Sequence, residues 1–395
     1  MDEAPTPEKR ELSPLDYHRR IVAYFRENEP QVWAWAQSAD VQRQQAAETR
    51  AAMLRETYRL EPGSHPEVFA AADAARSALG IDAPVTLYQA NDGSMNASLC
   101  FIPGEVHLIF FGPILEKLDP AELLALMGHE LAHFHLWSIE DGAFHQASRI
   151  LDLALSYADA APSHRETARL MSLVTELYAD RAAALAAGEI APAVSLLVKT
   201  MTGLSTVDPA AYLRQAEELE EGAGRSGGQS HPESFLRARA LDRWWSGDPG
   251  LEEWLDRRLA GPLSIEALDL LRQAELTAAT RGFLARFLKD VPDPEGAVLN
   301  QVRRLFPDFG AGEAPFDYAA IARDRIDDAT RGYFIALMFD CAMADGDSRD
   351  SVMLAAAKAA AEIGATDLFK QSLKRDLKWT RAAADRLVSQ AARAA

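Results

Sequence analysis

Gly128-His129-Glu130-Leu131-Ala132-His133 is the stretch on which the reading of this chain turns. Two histidines stand four residues apart, with a glutamate directly after the first. On an α-helix, positions i and i+4 lie on one face, one above the other. Two imidazoles so disposed can grip one metal ion, and Glu130 stands beside them without being a ligand. A helix is well signalled here. Asp119-Pro120-Ala121-Glu122 supplies an N-cap aspartate, a proline at the first helical position and a glutamate three residues after the cap. Leu123, Leu124, Leu126, Met127, Leu131 and Ala132 make the run apolar. Gly128 weakens the helix but lets another segment come close to the histidine face.

This is the HExxH arrangement of zinc peptidases, so metal-assisted hydrolysis of peptide bonds is the leading reading. A catalytic zinc takes three protein ligands and leaves one position for water, so a third ligand is required. Thr175-Glu176-Leu177-Tyr178-Ala179-Asp180 lies in an Ala/Leu-rich run, expected to be helical from about Glu166 to Ala187 and ended by Gly188. Glu176 and Asp180 are again i and i+4, amid Leu173, Leu177 and Ala184. Alone, such a pair reads as a solvated helix face. Beside an HExxH helix, Glu176 becomes the expected third zinc ligand. Asp180 becomes a carboxylate that fixes the tautomer and ring angle of a ligand histidine. Further on, Gly222 to Ser230 (GAGRSGGQS) reads as flexible. It leads into Ser230-His231-Pro232-Glu233 and a helix carrying Arg237 and Leu241.

Taken in order, Asn96-Ala97 before a strand pair, the HELAH helix after DPAEL, the Glu176-to-Asp180 motif, and His231-Pro232 with Arg237 and Leu241 resemble the HtpX-like and CAAX-prenyl-protease family of zinc metallopeptidases (gluzincins). The resemblance covers roughly residues 66 to 245. It implies one catalytic zinc held by His129, His133 and Glu176, with Glu130 as the base. It also implies that His231 and Arg237 border the cleft, with His231 either binding the oxyanion or capping the zinc at rest. Candidates for the oxyanion donor are His231, Tyr178 and Arg237. This chain departs from the membrane members of that family in having no long apolar span and a shorter distance from His133 to Glu176. It resembles a soluble branch. Val85 to Gln89 reads as a strand, and Ser98 to Ile102, Pro103-Gly104 and Glu105 to Phe111 read as a hairpin whose edge can take an extended peptide. His107 in that hairpin reads as structural.

The rest of the chain bounds the class. It has 395 residues, 48% of them hydrophobic, and a net charge of −18, which repels nucleic acid and anionic membrane. Cys100 and Cys341 are far apart and read as buried thiols. MDEAPTPEKRELSP has no apolar signal core, and no run reaches bilayer length, so a cytoplasmic protein without a transmembrane segment is expected. Residues 1–14 read as a disordered tail, and 15–60 as two helices packing on the peptidase domain. A zinc metallopeptidase domain is expected over 61–247, and an all-helical domain over 248–395. Helices are expected near 251–259, 264–289, 295–305, 317–343, 350–363 and 366–393. Ala344-Asp345-Gly346-Asp347 and its flanks resemble the TerB-like helical domain of tellurite-resistance proteins. There Asp340, Asp345 and Asp347 are candidates for a divalent-cation site, against an acidic inter-helix turn. The expected fold is thus α+β and predominantly helical: a zincin-type domain with a small β-sheet, then an all-α domain. The expected function is a soluble zinc metalloendopeptidase acting on protein or peptide. It is read as latent behind the glycine-rich loop, or regulated by a protein partner through the C-terminal domain. The competing reading is a non-catalytic metal-containing scaffold that acts through its C-terminal helices.

Overall fold

Strand and helix signals around the histidine motif are realised closely. The computed structural model describes residues 10–37 and 49–394, apart from 52, 92, 94, 221, 223, 293, 311 and 323. The reading of a disordered tail therefore falls, for residues 1–9, outside the described residues. By its contacts the chain divides after Ala260 into two units, so residues 248–260 go with the first.

In the first unit, β1 (Tyr58–Arg59), β2 (Val85–Ala90), β3 (Asn96–Ile102) and β4 (Glu105–Phe111) form one mixed sheet in the order β1-β2-β4-β3. β2 and β4 run parallel, while β3 and β4 form an antiparallel hairpin. Gly104, at φ +80°, takes the left-handed position that a Pro-Gly type II turn needs. β3 is an edge strand. His107 is buried and bonds Tyr88 Oη and Glu105, a structural role.

Around the sheet lie α1 (Asp16–Asn28), α2 (Pro30–Ala36), α3 (Pro66–Ala78), α4 (Pro120–Ser138), α5 (Ala143–Ser156), α6 (Pro162–Ala187), α7 (Ala191–Thr202), α8 (Pro209–Glu220), α9 (Ser234–Ser246) and α10 (Leu251–Leu259). The sequence predicts two helices over 15–60. The described residues there hold α1, α2 and further helical residues at 49–51 and 53–56 ahead of β1.

Helix α4 carries the histidines, and its start is fixed three ways. Asp119 Oδ1 accepts the N–H groups of Ala121 and Glu122, each at 2.9 Å, and Glu122 accepts the Asp119 N–H at 2.8 Å. Glu122 also receives Lys199 Nζ and Ser195 Oγ from α7, each at 2.5 Å. This buried ion pair staples α7 to the first turn of α4. The expected close approach at Gly128 is real. A Cβ there would stand 2.6 Å from Ala186 Cβ and 2.9 Å from the Ala182 carbonyl oxygen, so the glycine sets how near α6 can come. Helix α6 begins at Pro162, ahead of the expected Glu166, because proline suits the first helical position.

In the second unit the helices are α11 (Leu270–Lys289), α12 (Ala297–Leu305), α13 (Asp328–Met343), α14 (Arg349–Glu362), α15 (Thr366–Asp376) and α16 (Arg381–Arg393). Three expected boundaries move. Residues 264–269 are not helical: Leu263 pairs with Ile326, and Asp269 caps α11. Helix α13 starts only after Asp327, which caps it. The run 366–393 breaks at Lys378, which sits at φ 59°. The candidate cation site is corrected too. Among the described residues, Asp340, Asp345 and Asp347 do not bring ligand atoms within reach of one ion. Asp345 is spent as a cap, accepting the Asp347 N–H at 3.2 Å and the Ser348 hydroxyl at 2.8 Å. Both cysteines are free thiols, but only Cys341 is buried as expected, which pushes it up to about 12, while Cys100 on β3 is half-buried. No helix among the described residues is long and apolar enough to cross a membrane.

Candidate metal centre and cleft

Helical geometry brings His129 and His133 onto one side of α4, with ring centroids 5.2 Å apart. Glu176 reaches them from α6. Its Oε2 lies 3.5 Å from His129 Nε2, and its Oε1 lies 3.9 Å from His133 Nε2. The three ligand atoms all lie within 4.8 Å of one another, the one such group among the described residues. A tetrahedral zinc with bonds of roughly 2.0–2.2 Å separates its ligand atoms by roughly 3.3 Å, close to what is seen.

The surroundings fit a cation. Asp180, one turn beyond Glu176, lies 3.3 Å from His129 Nδ1 and leaves Nε2 turned toward Glu176. Arg237 from α9 grips Asp180 through two bonds, Nε to Oδ2 at 2.8 Å and Nη2 to Oδ1 at 2.6 Å. Its Nη1 stands 3.1 Å from Glu176 Oε2, yet that buried oxygen has no hydrogen-bond partner. Burial opposes a charge on His129, but the Asp180 and Glu176 carboxylates overcome it and raise its pKa to about 10. They demand positive charge at this spot. Burial lowers His133 to about 4, which keeps it neutral and fit to ligate. Burial also disfavours charge on Glu176, but Arg237 and His129 hold it well below the usual carboxylate range. Two nitrogens and a carboxylate, with an unsatisfied oxygen among them, make a donor set suited to zinc.

Glu130 is buried beside this group, and burial raises it to about 7. The Leu99 N–H of edge strand β3 donates to it. Glu130, His129, His133, Glu176, Asp180, His231 and Arg237 all line one open cleft of about 1100 Å³. His231 is 58% exposed at its side chain, with Nε2 3.5 Å from Glu176 Oε1 and Nδ1 2.8 Å from Ser230 Oγ. Asn96 to Leu99 of β3 form part of the wall.

Tyr178 is not at the cleft, contrary to its reading as an oxyanion candidate. It is fully buried, and its hydroxyl lies 2.6 Å from His135 Nδ1. Two residues along a helix turn a side chain by roughly 200°, so Tyr178 faces away from Glu176. The sequence reading also passed over three residues. Trp137 follows His133 by four, lines the cleft and lies 5.9 Å from the His133 ring; the same i, i+4 step that paired the histidines points to it. Arg169 stands two turns before Glu176 and also lines the cleft. His18 of α1 is fully buried and holds Thr175 Oγ1 at 3.1 Å, a pairing that no local pattern announces. The glycine-rich segment differs from its flexible reading. Ser226 is buried, its N–H bonds the Arg258 carbonyl at 2.7 Å, and its hydroxyl bonds Glu233 at 2.7 Å.

Two histidines one turn apart, a glutamate from a crossing helix, a carboxylate behind them and an edge strand alongside form a site with the donor set of a metal centre. Comparison with known proteins agrees. Residues 70–245 match the sequence model of Peptidase family M48. The chain is also 29% identical over 186 residues to the plastoglobule-localized metallopeptidase 48, chloroplastic, of Arabidopsis thaliana, covering 42% of this chain and 53% of that protein. It thus spans about half the length of the curated relative it matches. No solved structure matches it.

Proposed function

We propose that this chain is a zinc-dependent metalloendopeptidase that hydrolyses peptide bonds with a water activated in the cleft. The observation that carries this reading is the convergence of His129, His133 and Glu176 within 4.8 Å, with Glu130 in the same cleft wall. Bound zinc would lower the pKa of water and polarise the scissile carbonyl. His129, His133 and Glu176 would hold the ion, and Asp180 would fix the His129 ring. Glu130 accepts the proton of the attacking water and passes it to the departing amine. Arg237 is committed to Asp180 and Glu176, which leaves His231, exposed above Glu176, to donate toward the oxygen where negative charge develops. An extended substrate adds to the outer edge of β3, beside Glu130, which takes the Leu99 N–H of that edge.

Zinc content and casein cleavage, measured together for wild type and Glu130→Gln, test the reading. Wild type is expected to hold about one zinc and to cleave, and the variant to hold zinc and cleave at least about a hundredfold more slowly. Zinc without cleavage in wild type would instead favour the scaffold reading.

A further inference from the structure

The cleft contains a second buried arginine that the peptidase chemistry above does not use. Arg169 lies on α6 seven residues, two turns, before Glu176, so the two share a face. Its five N–H groups make five hydrogen bonds. Nε and Nη2 take the Glu166 carboxylate at 2.9 and 2.7 Å. Nη1 reaches the carbonyl oxygens of Gly228 at 3.1 Å and Ser226 at 3.4 Å, and Nη2 that of Leu259 at 2.9 Å. Balancing Glu166 needs no backbone carbonyls, and Arg225 already pairs with Glu166 at 3.2 Å. The Ser226 and Gly228 carbonyl contacts instead hold the segment that ends at His231, and the Leu259 contact ties the same guanidinium to the end of α10. Glu233 holds the same segment from its other end through the Gly227 N–H at 3.0 Å and Ser226 Oγ. At Gly228 a Cβ would fall on the carbonyl oxygen of His231, so the held backbone has no room for a side chain.

We propose that Arg169 is a positioning residue: its guanidinium pins the backbone at 226–228 to α6 and thereby sets His231 above Glu176. This rests on the peptidase reading for its catalytic consequence. Lysine keeps the charge but not the planar fork, and cannot span the carboxylate and three carbonyls together.

Arg169→Lys, His231→Ala and the double variant test this with two readouts. The first is kcat/KM on casein-derived peptides. Arg169→Lys should lose roughly tenfold or more, as displaced catalytic groups do, and the loss should vanish in the His231→Ala background. The second is trypsin cleavage after Arg225, read in a Glu130→Gln background to silence self-cleavage. Arg169→Lys should speed that cut, because the Arg225–Ser226 bond is held by buried Ser226. An equal kinetic loss with and without His231, or an unchanged trypsin rate, overturns the proposal. If Arg169→Lys does not fold, Gly228→Ala disturbs the same backbone with Arg169 in place and is held to the same two criteria. If wild type cleaves no peptide, the peptidase reading falls, while the trypsin rates still decide the latch.

Discussion

Asp180 shows how far one side chain reaches. It stands 3.3 Å from His129 Nδ1 and at the same time neutralises buried Arg237. Asp180→Asn keeps the shape but removes the charge. Zinc affinity should fall by about 10–100-fold, as loss of a carboxylate behind a ligand histidine does, and stability should fall by about 3 kcal/mol because Arg237 loses its bidentate partner. Competition with a zinc-binding dye and urea unfolding measure the two, and an unchanged affinity would remove Asp180 from the metal centre. His129, His133, Glu176 and Asp180 were legible because each pair obeys the i, i+4 rule, which survives burial. Tyr178, two residues from Glu176 in the sequence, lies roughly 200° round the helix from it, and its hydroxyl is held by His135 away from the cleft. The Arg169–Glu166 pair reads as an ordinary i, i+3 ion pair, and the three backbone carbonyls that set Arg169 apart lie 57 to 90 positions away and leave no mark in a sequence.

Helix crossings carry the next level of specification. Gly128→Ala should improve α4 by about 1 kcal/mol on propensity alone. The added Cβ, however, meets Ala186 and the Ala182 carbonyl, and such overpacking costs about 1–3 kcal/mol. A net loss in a denaturant titration is expected, whereas a gain would mean the α4–α6 contact is loose. At the α1–α6 contact, His18 Nδ1 accepts the Leu15 N–H at 3.2 Å, so Nε2 carries the proton toward Thr175 Oγ1. Burial first, and then Arg181, lower its pKa from 6.5 to about 3. Between those values the unfolded chain binds a proton that the folded chain refuses. Stability is therefore intact above pH 6.5 and is lost as pH falls toward 3, at up to about 1.4 kcal/mol per pH unit. Other buried histidines add their own slopes, so the difference between wild type and His18→Gln isolates this one. Identical pH slopes for the two proteins would contradict it. The helix ends that the sequence missed are those set by tertiary contacts, such as the Leu263–Ile326 pairing before α11, or by Lys378 at a positive φ that lysine rarely adopts.

Across the whole molecule, the first unit was the more legible because its elements are tied to a motif with a chemical purpose. The second unit is helices on helices, where apolar periodicity announces a helix but not its neighbours. The metal should be felt unevenly along the chain. Binding stabilises only the state that holds the ligands together, so chelation should raise hydrogen exchange in α4 and α6 and leave α13 and α14 unchanged. Uniform loosening of both units on chelation would mean that the ion acts elsewhere. The most direct measurement is crystal diffraction of the zinc-loaded protein at the zinc absorption edge. One anomalous peak is predicted, at roughly 2.0–2.2 Å from His129 Nε2, His133 Nε2 and a Glu176 oxygen. A zinc-loaded crystal with no peak there, or with its zinc held by other residues, would contradict the account.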